Sequence, residues 1–325
     1  MGSYANPELV EKLRLALRET TGDTRLDEMM HGSIRAALSE SDTELIDVWE
    51  QESGPEQAEV DLHLGGPGVD GHATNAKLFA ELVSGISQAV KETAKHRAGK
   101  GSYSEGIVIE GATPGSVRLV LRAPKPHVDP SQTSDPTTVA SSIDSDALRT
   151  VVAIMTHASD PDPNSPLVAE IADLPKKARD GLKRIATSSK KAGWTIDGTV
   201  RQRKLGRSSV AFTADGATRL VREIDARIES RKTVTVTGTI DGFRRSIGTL
   251  YFAPDKGAIF QAAVTDEAVA NHVTELFARP DVIVEATFSV VESQLPGSSG
   301  VSRKSRVLQA IRETDLGKQL SFSDG

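Results

Sequence analysis

The 325-residue chain contains no cysteine. Disulfide frameworks, thiolate zinc sites, iron–sulfur clusters and cysteine nucleophiles are therefore excluded. Aromatic residues make up only 4%, which leaves any core to Val, Ile, Leu and Ala. No apolar run approaches the roughly eighteen residues that a membrane-crossing helix needs. The opening Met1-Gly2-Ser3-Tyr4-Ala5-Asn6-Pro7 lacks the basic start and apolar stretch of a secretory signal. A cytoplasmic location without a membrane partner is the expectation. Arginine outnumbers lysine by 23 to 16, a usage that goes with GC-rich bacterial genomes.

Hydrophobic residues at 38% suffice to bury a core, and the length suggests two domains or three smaller modules. The net charge of −6 conceals two opposed regions. Residues 1–60 carry fourteen acidic and five basic side chains. Residues 176–207 carry eleven basic ones: Lys176, Lys177, Arg179, Lys183, Arg184, Lys190, Lys191, Arg201, Arg203, Lys204 and Arg207. Only Asp180 and Asp197 oppose them. Such asymmetry points to a polyanion such as nucleic acid, to an acidic protein partner, to contact with the chain's own residues 1–60, or to solvated faces.

The periodicity predicts three opening helices, Pro7–Glu19, Arg25–Ser39 and Asp42–Glu50, with Leu9, Leu13 and Leu17 forming one stripe. Val60–Leu64 alternates as a strand. A glycine-rich loop follows, and Thr74–Lys95 repeats Leu78, Leu82, Ile86 and Val90 at helical spacing. Gly106–Glu110 and Ser116–Arg122 read as strands joined at Pro114-Gly115, the signature of a type II turn. These elements make a β-α-β-β unit. His127–Ser142, rich in Pro, Ser, Thr and Asp, reads as a linker.

Beyond it, helices are expected at Ser145–His157 and Leu167–Lys191, the second interrupted near Pro175, with strands at Trp194–Arg203 and Ser208–Thr213 and a helix at Gly216–Ser230. The last third predicts strands Thr233–Ile240, Ile247–Phe252 and Ala258–Val264, a helix capped by Thr265, and strands Val282–Val291 and Lys304–Ile311. Three strands, a helix and two strands is the element order of the OB-fold. Residues 232–312 thus resemble an OB-like small barrel, and the alternative is an open meander carrying one helix. The fold class is α+β. Its parts are an acidic helical segment with the β-α-β-β domain (1–126), a linker (127–142), a basic helix-hairpin-helix module (143–230), the barrel (231–312) and a tail (313–325).

In OB-folds, ligands lie across strands 2 and 3 between two loops. That resemblance implies candidate roles for Arg244, Arg245, Arg303 and Lys304 in the loops, with Phe243, Tyr251 and Phe260 beside them. The basic stretch contributes Lys176, Lys177, Lys183, Arg184, Lys190 and Lys191 from a helix and Arg201, Arg203, Lys204 and Arg207 from a hairpin. If helix and hairpin pack together, these form one patch. Trp194 is the only ring nearby, so contact with the nucleic-acid backbone is expected over stacking on bases.

Gly66–Ala73 has the glycine spacing of a phosphate-binding Walker A loop, but His72 and Ala73 stand where Lys and Ser/Thr are required. Asp61 and His63 share one strand face, a geometry compatible with a metal pair, but no third ligand is recognisable. No hydrolase, metalloprotease or dinucleotide motif is present. No cofactor is expected. The leading expectation is a non-catalytic binding protein for nucleic acid. The alternatives are an interaction component of a larger bacterial assembly and an enzyme whose site assembles only in three dimensions.

Overall fold

The structure, a computed structural model, describes residues 7–19, 25–38, 43–99, 106–110, 117–125, 141–162, 165–279, 282–294 and 302–314. The turn at 112–115, most of the 127–142 linker and the 313–325 tail beyond residue 314 lie outside them. The fold is α+β, with N-terminal helices, a five-stranded sheet and a closed five-stranded barrel. Among the described residues no helix is long and apolar enough to cross a membrane.

Helices α1 (Pro7–Glu19), α2 (Arg25–Ala37) and α3 (Thr43–Ser53) lead into β1 (Glu59–Gly65), the middle of the sheet. A two-residue hairpin, β2 (Val69–Asp70) and β3 (Ala73–Thr74), leads into α4 (Ala76–Arg97). Asn75 caps α4 by accepting from the Leu78 N–H at 3.0 Å. The strands β4 (Val108–Glu110) and β5 (Val117–Arg122) pair antiparallel, and β5 pairs β1.

Next come α5 (Ile143–Ser159), α6 (Leu167–Ala172) and α7 (Lys176–Ala192), with Pro175 at the break the sequence predicts. Then β6 (Thr195–Gln202) and β7 (Gly206–Phe212) close the sheet in the order β4-β5-β1-β6-β7. Elements on both sides of 127–142 therefore share one sheet, β1 meeting β6 from Glu59–Arg201 to Gly65–Thr195.

Alternation decides which face of the sheet is covered. Val60, Leu62 and Leu64 on β1, Leu119 and Leu121 on β5 and Ile196 and Val200 on β6 are buried in one core. Leu82 and Ile86 of α4, Val151 of α5 and Leu182 and Ile185 of α7 complete it. Helix α8 (Ala214–Ile224) adds Leu220. It ends six residues before the expected Ser230. Its capping residue is Asp225, and β8 (Arg227–Arg244) already begins at Arg227, where pairing with β11 captures a segment that helical periodicity had assigned to α8.

The barrel consists of β8, β9 (Thr249–Pro254), β10 (Phe260–Ala263), β11 (Val284–Gln294) and β12 (Ser302–Glu313), closed in the order β10-β12-β11-β8-β9. Only β10 and β12 run parallel. Helix α9 (Glu267–Phe277) lies between β10 and β11 in sequence, an arrangement compatible with an OB-like barrel. Its N-cap is Asp266, not the expected Thr265, since the Asp266 carboxylate accepts from the Val269 N–H at 3.0 Å. Three of the scarce aromatics, Phe252, Phe260 and Phe288, meet inside the barrel with ring centroids 5.2–5.5 Å apart.

The barrel docks on α5 and α6 through its outer wall. Val168 and Ala169 of α6 pack with Ala263, Val291 and Val307. The Ala169 N–H donates to Ser305 Oγ at 3.0 Å. Gln261 Nε2 donates to Asp160 Oδ2 at 3.0 Å. The buried His157 bridges Glu170 Oε2 (2.8 Å) and Thr249 Oγ1 (2.7 Å), tying α5 and α6 to β9.

Candidate polyanion-binding surface

Helix α7 contributes the helical half of the basic stretch. Ala178, Leu182, Ile185, Ala186 and Ser189 are buried, which forces the charged positions outward. The bases recur as pairs seven residues apart: Lys176-Lys177, Lys183-Arg184 and Lys190-Lys191. Seven residues are nearly two turns, so successive pairs sit about 10.5 Å apart along one stripe.

The close packing beneath this stripe depends on glycine. A Cβ on Gly181 would lie 2.7 Å from the Ala89 backbone N, and one on Gly85 would lie 2.9 Å from the Ile185 side chain. The two helices thereby approach closely enough for Gln88 Nε2 to donate to the Lys177 carbonyl at 3.1 Å. A groove of about 480 Å³ between α4 and α7 is lined by Lys77, Lys183, Arg184 and Lys191, together with Glu81 and Asp180.

Three of the stripe's cations have acidic neighbours. Lys183 meets Asp225 at 2.7 Å, Arg184 meets Glu81 at 3.4 Å and Lys176 meets Asp180 at 3.0 Å. All three pairs are largely exposed, a setting in which an ion pair is worth no more than about 1 kcal/mol. Lys177, Lys190 and Lys191 are exposed with no ion pair among the described residues. Trp194, which follows α7, is fully buried, and its Nε1 donates to Thr74 Oγ1 at 3.0 Å.

The strand half lies on the other side of the sheet. Val200 faces the helix-covered core, so its neighbour Arg201 points to the opposite face. There Glu59 stands between Arg122 and Arg201 in register, accepting from Arg122 Nε at 3.0 Å and from Arg201 Nε at 2.8 Å. Burial pushes the Glu59 pKa up, but the bonds from the two guanidiniums outweigh it and hold the carboxyl below its ordinary value. Arg201 also approaches Glu50 of α3 at 3.8 Å. Arg203 Nε donates to the Gly54 carbonyl at 3.1 Å. Lys204, at φ 68°, turns the hairpin, its backbone N–H reaching the Gln51 carbonyl at 2.7 Å. These cations largely meet residues 50–59 of the acidic segment, away from the α7 stripe.

One row along, Arg118 donates to both Asp61 oxygens, at 2.7 and 2.6 Å, and His63 Nε2 lies 3.4 Å from Asp61 Oδ1. The bonds from Arg118 lower the Asp61 pKa against the cost of burial. The Asp61–His63 pair thus belongs to an ion-pair ladder on the open sheet face. Among the described residues no group of three potential metal ligands converges.

The barrel loops fall in different places. Arg244 lies over the Tyr251 ring at 5.6 Å and shares an open cleft of about 910 Å³ with Arg207. Asp47, Asp61, Asp197 and His63 line the same cleft, so its charge is mixed. Burial raises the Asp47 pKa, with Arg207 acting against it. Arg245 donates from Nη1 to Thr274 Oγ1 of α9 at 3.4 Å and from Nη2 to Asn271 Oδ1. Lys304 lies 3.8 Å from Glu292, and Arg303 sits opposite Ser293 on β12. Phe260 points into the barrel core.

The Walker-like loop is a tight turn seated on the end of α7: a Cβ on Gly68 would lie 1.8 Å from the Ala192 carbonyl oxygen. Gly66 and Gly68 therefore have a packing explanation, and Gly71, at φ 59°, a conformational one. Sequence reasoning treats the α7 lysines as one basic stretch and misses their seven-residue pairing, a signal present in the sequence. It also misses Arg118 and Arg122, which only the β1–β5 register brings to the acids of β1. Comparison with known proteins finds no matching family model, no matching curated protein and no matching solved structure.

Proposed function

We propose that this protein is a non-catalytic binding protein that engages nucleic acid through backbone contacts along the exposed stripe of α7. The observation that carries the reading is the set of paired bases, Lys176-Lys177, Lys183-Arg184 and Lys190-Lys191, on the helix's solvent side. Their ion pairs are exposed and weak enough for phosphates to replace them. With Trp194 buried and withheld from base stacking, contact falls to the phosphates, and binding is sequence-independent. We read the barrel as OB-like and the protein as bacterial and cytoplasmic. The outer surface of β9 and β10, where OB-folds take ligands, here carries the contacts to α5 and α6, which supports a docking role for the barrel.

Fluorescence anisotropy with single- and double-stranded DNA and RNA tests this reading. Weak binding without sequence preference is expected. Four or five phosphate contacts correspond to a slope of log K against log salt of about −4 on duplex DNA. No binding to any of the four at low salt would contradict it.

A second reading, an interaction component of a larger assembly, is favoured by Leu9, Leu15, Leu26, Met29 and Met30, exposed on α1 and α2. Retention of a defined protein partner by the wild type, lost on making these residues polar, supports that reading.

A further inference from the structure

Three arginines from separate elements line a cavity of about 60 Å³ between the helical layer and the barrel. Arg97 comes from the end of α4, Arg149 from α5 and Arg245 from the 3₁₀ turn between β8 and β9. Thr150, Ser246 and the start of α9 complete the polar wall. The Nε atoms of Arg149 and Arg245 are buried without a hydrogen-bond partner. Arg97, an exposed residue overall, sends its guanidinium inward to donate to Thr150 Oγ1 at 2.7 Å. Burial lowers the pKa of both Arg97 and Arg245, opposed by Asp146 and Glu170 at Arg97 and by Glu267 at Arg245, with the charge of Arg149 adding to the lowering at both.

Four carboxylates also face the cavity, and three have partners of their own. Asp146 pairs with Arg149 and accepts from Ser141, Glu170 is held by His157 at 2.8 Å, and Asp266 caps α9. Glu267 is exposed in the first turn of α9 and lies within electrostatic reach of Arg245. Two buried guanidinium Nε donors are left over, beside Arg97, which donates to the Thr150 hydroxyl and feels the charges of Asp146 and Glu170. The N-terminal end of α9 adds its dipole to the same wall.

We infer that this cavity binds a single tetrahedral oxyanion, phosphate either free or as the end of a phosphomonoester, and that the anion clamps the barrel to the helical layer. Arg149 Nη2 is held by Asp146 and the Arg245 Nη atoms by Thr274 and Asn271, which leaves the two Nε–H groups to meet phosphate oxygens from two sides. A small, partly enclosed site strengthens such charge-assisted bonds. An anion bridging Arg149 and Arg245 joins α5 to the barrel turn. The site is distinct from the α7 stripe and does not depend on it.

The test is a titration of inorganic phosphate, and separately of glycerol 3-phosphate, at constant ionic strength maintained with chloride. Calorimetry and thermal unfolding are read on the wild type, Arg245→Lys and Arg149→Gln. The wild type is expected to gain thermal stability with phosphate concentration as mass action requires. Each variant is expected to bind at least tenfold more weakly. Binding of phosphate alone assigns a free anion, and binding of both assigns a phosphomonoester.

Amide chemical-shift changes in the wild type, expected at Arg245–Gly248 and Val264–Ala270, locate the site without relying on a variant that fails to fold. No binding of either compound at millimolar concentration would overturn the proposal. So would shift changes confined to α7, or undiminished binding in both variants.

Discussion

Arg201 Nη2 donates to Glu59 Oε1 at 2.5 Å on one face of the sheet, while Val200, one residue earlier, is fully buried in the core on the other. That alternation separates the two halves of the basic segment. The α7 lysines stay on the helical surface, and the strand arginines turn towards the acids of residues 50–59.

Glu59 is nearly buried and accepts from two guanidiniums. Charge-assisted bonds of this kind contribute about 1.5–3 kcal/mol. Glu59→Gln is therefore expected to lower unfolding free energy by about 2 kcal/mol, measured by urea denaturation. An unchanged midpoint would contradict the ladder's role.

The pH dependence follows from the same ladder. Glu59 and Asp61 both sit below their ordinary pKa values in the folded state. Their stabilisation is complete above the unfolded-state values of about 4 and disappears as pH falls through the lower folded-state values. Stability is expected to drop as pH falls below about 5. Asp61→Asn and Glu59→Gln should flatten that limb, as followed by urea midpoints between neutral and acid pH. Unaltered slopes in both variants would count against it.

Gly181→Ala tests the packing beneath the stripe. Helix propensity alone would favour alanine by about 1 kcal/mol. The added methyl would, however, meet the Ala89 backbone N at 2.7 Å, and overpacking of this kind costs about 1–3 kcal/mol. A net loss of stability is expected in chemical denaturation. A gain would mean that α4 and α7 separate freely.

Much of this architecture was legible in local pattern. The alternation of Val60, Leu62 and Leu64, the four-residue repeat of α4, the break at Pro175 and the element order of the last third each reflect one chain segment meeting solvent on one side. What was not legible depends on lateral pairing. Nothing in β1 or β6 alone says that they lie side by side across a long connection, and the end of α8 is set by the pairing of β8 with β11. The split of the basic segment follows from those two facts. So does the position of His157, an unremarkable helix residue until Thr249 of the barrel is brought to its Nε2.

His157→Ala would leave Glu170 and Thr249 facing a gap, and each buried polar group left unpaired costs about 1–3 kcal/mol. A total loss of about 2–5 kcal/mol is expected, with amide exchange in β9 rising more than exchange in β1. Equal effects on the two strands would show that the histidine does not act at the barrel junction.

The central claim is that the α7 stripe, and not the strand arginines, carries polyanion binding. The most direct measurement compares DNA and RNA affinity at low salt for two variants. One replaces Lys176, Lys177, Lys190 and Lys191 by alanine, and the other replaces Arg203 and Lys204. The expected result is loss of binding and of its salt dependence in the first variant, with near wild-type affinity in the second. Full affinity in the first variant, or no affinity in the wild type, would contradict the account.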